Sequence, residues 1–185
     1  FKSSDWVEVG VPVVKIGSVK PGFLDLQQVS YVTENLANKI PDDYRVPPGT
    51  LVVGLTGYVG QVGLARTHTP TPLLNQRVAK FKPRGAVSNL AFIHGIVRVP
   101  NFKRTVEELA TGTAQQNVSI SQILSIPIVI PKHDIRSRFE SLLQPLFLQI
   151  VSLADESEHL KSIGDLLLPR LISGELQIPE EMLAS

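Results

Sequence analysis

"FESLLQPLFLQIVSLADESEHLKSIGDLLLPRL" (residues 139–171) decides the architecture of this chain. Phe139, Leu146, Leu153, Leu160 and Leu167 stand seven residues apart without a miss. Leu142, Leu143, Ile150, Ile163 and Leu171 fill the steps of three and four between them. A seven-residue apolar repeat keeps one seam of a helix turned toward a partner helix, which is what a coiled coil requires. A helix over residues 132–173 would run roughly 60 Å at 1.5 Å per residue, too long for its stripe to be covered by a small domain. Pro145 predicts a kink or a fresh start, and Gly164 and Pro169 weaken the far end. Gln149 and Glu156 place polar groups in the middle of the seam. An ordinary core helix pair would use the same apolar residues.

Residues 1–131 follow a different grammar, rich in Gly, Pro, Val and Thr. "GVPVVKIGSV" (10–19), "GTLVVGLTG" (49–57), "QVGLAR" (61–66) and "NQRVAKFKP" (75–83) read as strands, the last with one cationic face. A tight turn at "GYVG" (57–60) would join the second and third as a hairpin. "SNLAFIHGIVRV" (88–99) and "KRTVEELAT" (103–111) suit short helices. "SISQILSIPIVIP" (119–131) suits a short helix and then a buried strand, "IPIVIP". The expected class is α+β: a strand-rich domain over 1–131, a long helix over 132–173 and a tail over 174–185.

Composition narrows the function classes. With 185 residues, 43% hydrophobic and 19% charged, the chain has the make-up of a globular protein with a real core. No run of eighteen apolar residues exists to span a membrane, and no signal peptide is visible. The first residue is Phe, which reads as a fragment or as a chain whose start is missing. The absence of cysteine removes disulfides, thiolate nucleophiles and cysteine-based zinc sites. His68, His94, His133 and His159 are scattered, with no HxH or HxxxH pair, so no metal site is expected.

The net charge of +1 hides an uneven distribution. From Tyr44 to Val106 there is no Asp or Glu, while Arg45, Arg66, Arg77, Lys80, Lys82, Arg84, Arg98, Lys103 and Arg104 fall in that span. Such a run points to a cationic face. A solvated surface with chance clustering would produce it too.

Catalytic motifs find little footing. Gly57, Gly60 and Gly63 recur at every third position, yet Gln61 and Val62 stand where a P-loop needs its lysine, and a Rossmann turn needs GxGxxG. There is no GxSxG elbow and no methyltransferase-type Asn/Asp-Pro-Pro-aromatic motif. "PDDYRV" (41–46) lacks the acid-x-Lys that would complete a nuclease site. Binding remains. "LNQR" (74–77) and "GTAQQNVS" (112–119) are amide-rich loops beside the cations, and Arg, Asn and Gln read base edges in the major groove.

The stretches "PPGTLVVGLTGYVGQVGLA", "LLNQRVAKFKP", "GTAQQNVSISQILSIPIVIP", "LQPLFLQI" and "LLLPRLISGEL", taken in this order, resemble the specificity subunit of type I restriction–modification systems. The resemblance runs from about Val14 to Leu176. It implies a non-catalytic, prokaryotic, cytoplasmic subunit that reads double-stranded DNA and docks methyltransferase subunits and, with them, restriction subunits. A whole subunit of that family has two recognition domains, each followed by a long helix, and the helices pair antiparallel as a ruler between half-sites. One such unit is present here, so a second unit or a homodimer is expected through Phe139, Leu146, Leu153, Leu160 and Leu167. The resemblance implies no cofactor in this chain, with S-adenosylmethionine, ATP and Mg used by the complex. The usual opening helix of the recognition domain is not identifiable. The residues expected to meet DNA are Lys20, Thr56, Tyr58, Asn75, Gln76, Arg77, Lys80, Lys82, Gln115 and Gln116. Two other roles use the same sequence features: the recognition domain of a fused restriction–methyltransferase, and an assembly module that does not touch DNA.

Overall fold

The computed structural model describes residues 1–27, 29–83, 89–110 and 116–177. The strands are β1 (Trp6–Val7), β2 (Val11–Val14), β3 (Gly22–Phe23), β4 (Ser30–Val32), β5 (Leu51–Gly54), β6 (Val62–Leu64), β7 (Leu73–Leu74) and β8 (Val78–Lys80). Among them lies the short helix α1 (Glu34–Ala37), and after them come α2 (Leu90–Val97), α3 (Pro100–Leu109), α4 (Ile120–Leu124) and α5 (His133–Ile172). Two sheets form, in the orders β1-β4-β2-β7 and β3-β6-β5-β8. The class is α+β with a long C-terminal helix, as the sequence suggests.

Alternation along β5 builds the layers, because successive side chains of a strand point to opposite faces. Leu51 and Val53 face a core shared with Phe102 and Val106 of α3 and Phe147 and Val151 of α5. Val52 faces the other way, into a core with Val14 of β2 and Leu74 of β7. The same alternation in β2 sends Val11 and Val13 to a third core with Ala37 of α1 and Leu73. The second sheet is thus covered on one face by helices and on the other by the first sheet.

The β5–β6 hairpin forms antiparallel, with Leu51 opposite Leu64 and Val53 opposite Val62. Its connection is longer than a tight turn. Leu55 continues the sheet, its N–H donating to the Arg77 carbonyl and its carbonyl accepting from Val118 N–H. Thr56 bridges Asn117. Two glycines explain the spacing noted in the sequence. Gly60 has φ +72° and packs where a Cβ would lie 2.8 Å from Val106 Cβ. Gly63 lies where a Cβ would sit 2.9 Å from Leu24 and 3.1 Å from the Lys20 carbonyl, so β3 can pair closely beside β6. Neither position has the form of a nucleotide cradle.

Other expectations need correction. "IPIVIP" is not a buried strand: residues 126–131 form no strand, and Val129 is 88% exposed. Pro127 and Pro131 carry no N–H for a ladder, so the segment serves as the extended link from α4 to α5. The strand expected over 10–19 stops at Val14 and gives way to a 3-10 turn at Ile16–Ser18. The strand expected over 75–83 is only Val78–Lys80. Pro145 neither ends the helix nor starts a new one, and α5 also runs past Gly164 and Pro169 to Ile172. Pro145 and Ser141 are both exposed, so the Ser141 carbonyl that loses its partner is open to water.

Contacts divide the chain into two compact units, Phe1–Val151 and Ser152–Ser185. In the first unit one face of α5 is anchored by Glu140, Phe147 and Val151, all buried. Glu140, 1% exposed, accepts hydrogen bonds from the backbone N–H groups of Ala91 (3.0 Å) and Phe92 (3.1 Å) at the start of α2. Those amides have no partner within their own helix, so the carboxylate acts as a cap supplied from another element. Phe139 and Leu146 lie on a different face of α5 and are exposed. In the second unit Leu153, Leu160 and Leu167 are exposed as well.

Candidate nucleic-acid interface

The β5–β6 loop end of the second sheet gathers most of the residues expected to meet DNA. Thr56 Oγ1 donates to Asn117 Oδ1 (2.9 Å), and Gly57 N–H donates to the Gln116 carbonyl (2.9 Å). These two bonds tie the loop to the segment before α4. Tyr58, at its tip, is 63% exposed. The Arg77 carbonyl accepts from Leu55 N–H (3.0 Å), which sets the Asn75–Arg77 turn beside the loop. That turn is held by Asn75, whose N–H reaches the Val14 carbonyl and whose Oδ1 accepts from Gln76 N–H (2.7 Å). Gln76 and Arg77 are exposed. Lys20 joins the same end, because the Gln61 side-chain amide donates to the carbonyl of Val19. Gln115 lies outside the described residues, as does Arg84 of the cationic run.

Lys80 and Lys82 go elsewhere. Lys80 pairs with Val52 in the sheet register, and its Nζ donates to the Arg45 carbonyl (2.7 Å). Burial lowers its pKa, partly opposed by the charge of Asp43. Lys82 forms an ion pair with Asp43 (2.6 Å), whose carboxyl is held below its ordinary range mainly by that hydrogen bond and charge. Arg45 pairs with Asp42 (3.1 Å), Lys103 with Glu107 (3.6 Å) and Arg104 with Glu108 (3.8 Å). The acids flanking the cationic run thus fold back onto much of it. Lys20, Arg77 and Arg98 are exposed and form no ion pair with a described residue.

Sequence reasoning did not single out Asn117, which pins Thr56, or Gln61, which pins the Val19 carbonyl next to Lys20. No local pattern marks them, since each contact joins segments 61 and 42 residues apart. Arg98 belongs to the cationic run without being one of the residues expected to meet DNA. Its position just before "VPN", where Pro100 opens α3, was the available signal.

Apolar surface forms a second feature of the first unit. A cavity of about 530 Å³ lies among Phe92, Val99, Ile128, Val129, Ile135 and Phe139. A smaller one of about 230 Å³, sharing Gly95 and Phe139 with it, extends along Leu143, Leu146 and Ile150 of α5. Between α2 and α5, His94 meets the Phe147 ring edge-on at 4.9 Å. Its pKa is lowered, first by burial and then by the charge of Arg98. Among the described residues no group of three His, Asp or Glu side chains is placed to hold a metal ion, and no helix is long and apolar enough to cross a membrane.

No family model matches the chain. Relatives do. It is 29% identical over 171 residues to the Type I restriction enzyme HindI specificity subunit of Haemophilus influenzae, covering 90% of this chain and 35% of that one. It is 24% identical over 182 residues to the MjaVIII specificity subunit of Methanocaldococcus jannaschii, covering 96% of this chain and 43% of the relative. Over a shorter stretch of 69 residues it is 42% identical to the MjaIX specificity subunit of the same organism, covering 37% of this chain and 16% of that one. The chain therefore spans well under half the length of these curated relatives. A solved structure bearing on complex assembly and conformational transition of the type I R-M system shares the fold, with a TM-score of 0.52 at 15% identity over 91% of this chain and 40% of that one. The resemblance drawn from the sequence stretches holds: over most of its length the chain is similar to parts of the specificity subunits of type I restriction enzymes.

Proposed function

We propose that the chain reads one half of a bipartite double-stranded DNA site, as one recognition unit of a type I specificity subunit that itself catalyses no reaction. The observation that carries the reading is the convergence of Thr56, Tyr58, Arg77 and Lys20 at one end of one sheet, with the cations left unpaired there. Exposed Arg77 and Gln76 suit base edges, and lysines and backbone N–H groups suit phosphates.

The exposed heptad face of α5 supports a second part of the reading. It pairs with the helix of another recognition unit, in the same subunit or a second copy. Lys132, Arg136 and Arg138 outnumber Asp134 and Glu140 at the start of the helical segment, while Asp155, Glu156, Glu158 and Asp165 outnumber Lys161 and Arg170 in its later part. That distribution favours antiparallel over parallel pairing of like helices. Methyltransferase subunits, and restriction subunits through them, are the protein partners. S-adenosylmethionine, and ATP with Mg for restriction, belong to those subunits. The setting is the cytoplasm of a prokaryote.

Binding of duplex libraries by the full-length subunit assembled with its methyltransferase subunits tests the reading. A sequence preference is expected, with Arg77→Ala relaxing one base position at a cost of about 1–3 kcal/mol. An assembled complex with no sequence preference contradicts it.

A further inference from the structure

A cavity of about 360 Å³ opens where the β5–β6 loop meets the start of α3. Val62, Val97 and Pro100 supply apolar lining, while Gln61, Arg98 and Lys103 supply polar groups. Pro21 and Gly22 also line it, so Lys20 stands beside it in the chain. The walls come from separate elements held in fixed relation, since Gly60 packs against α3 too closely for any side chain. The charges are weakly offset. Arg98 forms no ion pair with a described residue, and the carboxylate facing Lys103 is a half-exposed Glu107 at 3.6 Å. The ten-residue α3 begins here with Val99 as N-cap and no side-chain cap, so the positive end of its dipole is not answered by a carboxylate.

From this arrangement we infer that the cavity holds a backbone phosphodiester of the DNA duplex, with Arg98 and Lys103 donating to its non-bridging oxygens and Lys20 alongside. The inference rests on the DNA reading proposed above and adds where the backbone is gripped. A guanidinium offers a fork of N–H donors to phosphate oxygens, and an ammonium adds a point charge. Contacts of this kind position the duplex without reading sequence. The cavity lies beside the loop that carries Tyr58, so a phosphate held here aligns neighbouring bases with the Thr56–Tyr58 and Asn75–Arg77 turns.

The test is equilibrium binding by the full-length subunit in its assembled complex, to cognate and scrambled duplexes, over about 50–200 mM salt. Arg98→Ala and Lys103→Ala should each weaken both duplexes by the same factor and reduce the salt slope by about one. Arg98→Lys should keep most of the affinity, which loss of folding would not allow. Unchanged affinity and slope in both alanine variants would overturn the inference, and so would a loss confined to the cognate duplex. A third overturning result is inorganic phosphate saturating the cavity at millimolar concentration, seen by NMR shifts at Arg98 and Lys103, with duplex binding undiminished. A wild-type complex that binds no duplex is a separate outcome, and it would sink the proposed DNA reading itself.

Discussion

Two faces of one helix differ in what they ask of the rest of the molecule. One face of α5 places Glu140, Phe147 and Val151 in the core of the first unit. The other carries Phe139, Leu146, Leu153, Leu160 and Leu167, all exposed. The exposed set is entirely apolar while the buried set includes Glu140, so apolar content does not decide which face is covered. What separates them is burial within the chain, Phe139 alone of the exposed set meeting another ring, that of Phe92, edge-on at 6.2 Å. The buried face holds the domain together, and the heptad face is available to another helix.

Breaking the buried face should have the largest effect. Phe147→Ala removes a ring packed against the shared core and His94, and should lower stability by about 3–5 kcal/mol in chemical denaturation. A cost below about 1 kcal/mol would mean that α5 is not anchored there. Glu140→Ala leaves the Ala91 and Phe92 amides without their acceptor and should cost about 1–3 kcal/mol, with Glu140→Gln milder. Hydrogen exchange at those amides reads the effect directly.

The other face should respond in the opposite sense. Leu153→Asp with Leu160→Asp should leave the melting temperature of the first unit nearly unchanged and abolish helix pairing, as followed by the sedimentation mass in analytical ultracentrifugation. Loss of folding instead would place these leucines in the core.

The smallest effect concerns pH. His94 titrates below its unfolded value of 6.5 because burial disfavours its charged form. The unfolded chain therefore binds that proton more readily. The contribution to stability is present above pH 6.5 and is lost as pH falls through the folded pKa. Melting temperature should drop on acidification through this window, and His94→Gln should flatten the drop.

The heptad stripe was legible because it repeats within one segment, and the β5–β6 hairpin because its strands are sequence neighbours. The short strands Trp6–Val7 and Gly22–Phe23 were not, since two residues carry no period. "IPIVIP" misled because apolar content alone does not supply a pairing edge. At the candidate interface, Arg77, Tyr58 and Thr56 could be guessed from residue type, but their convergence depends on Leu55 pairing with both Arg77 and Val118. Lys80 and Lys82 looked equivalent to Lys20 in sequence. Folding separates them, because Asp43 and the Arg45 carbonyl return to meet the first two.

Profiling of methylated DNA from cells carrying the intact system reads out which bases the unit recognises. A bipartite motif with a fixed spacer is expected, one half of which relaxes at a single base when Arg77 is replaced by Ala. A continuous motif, or a bipartite one indifferent to substitutions at Arg77, Gln76 and Tyr58, would contradict it.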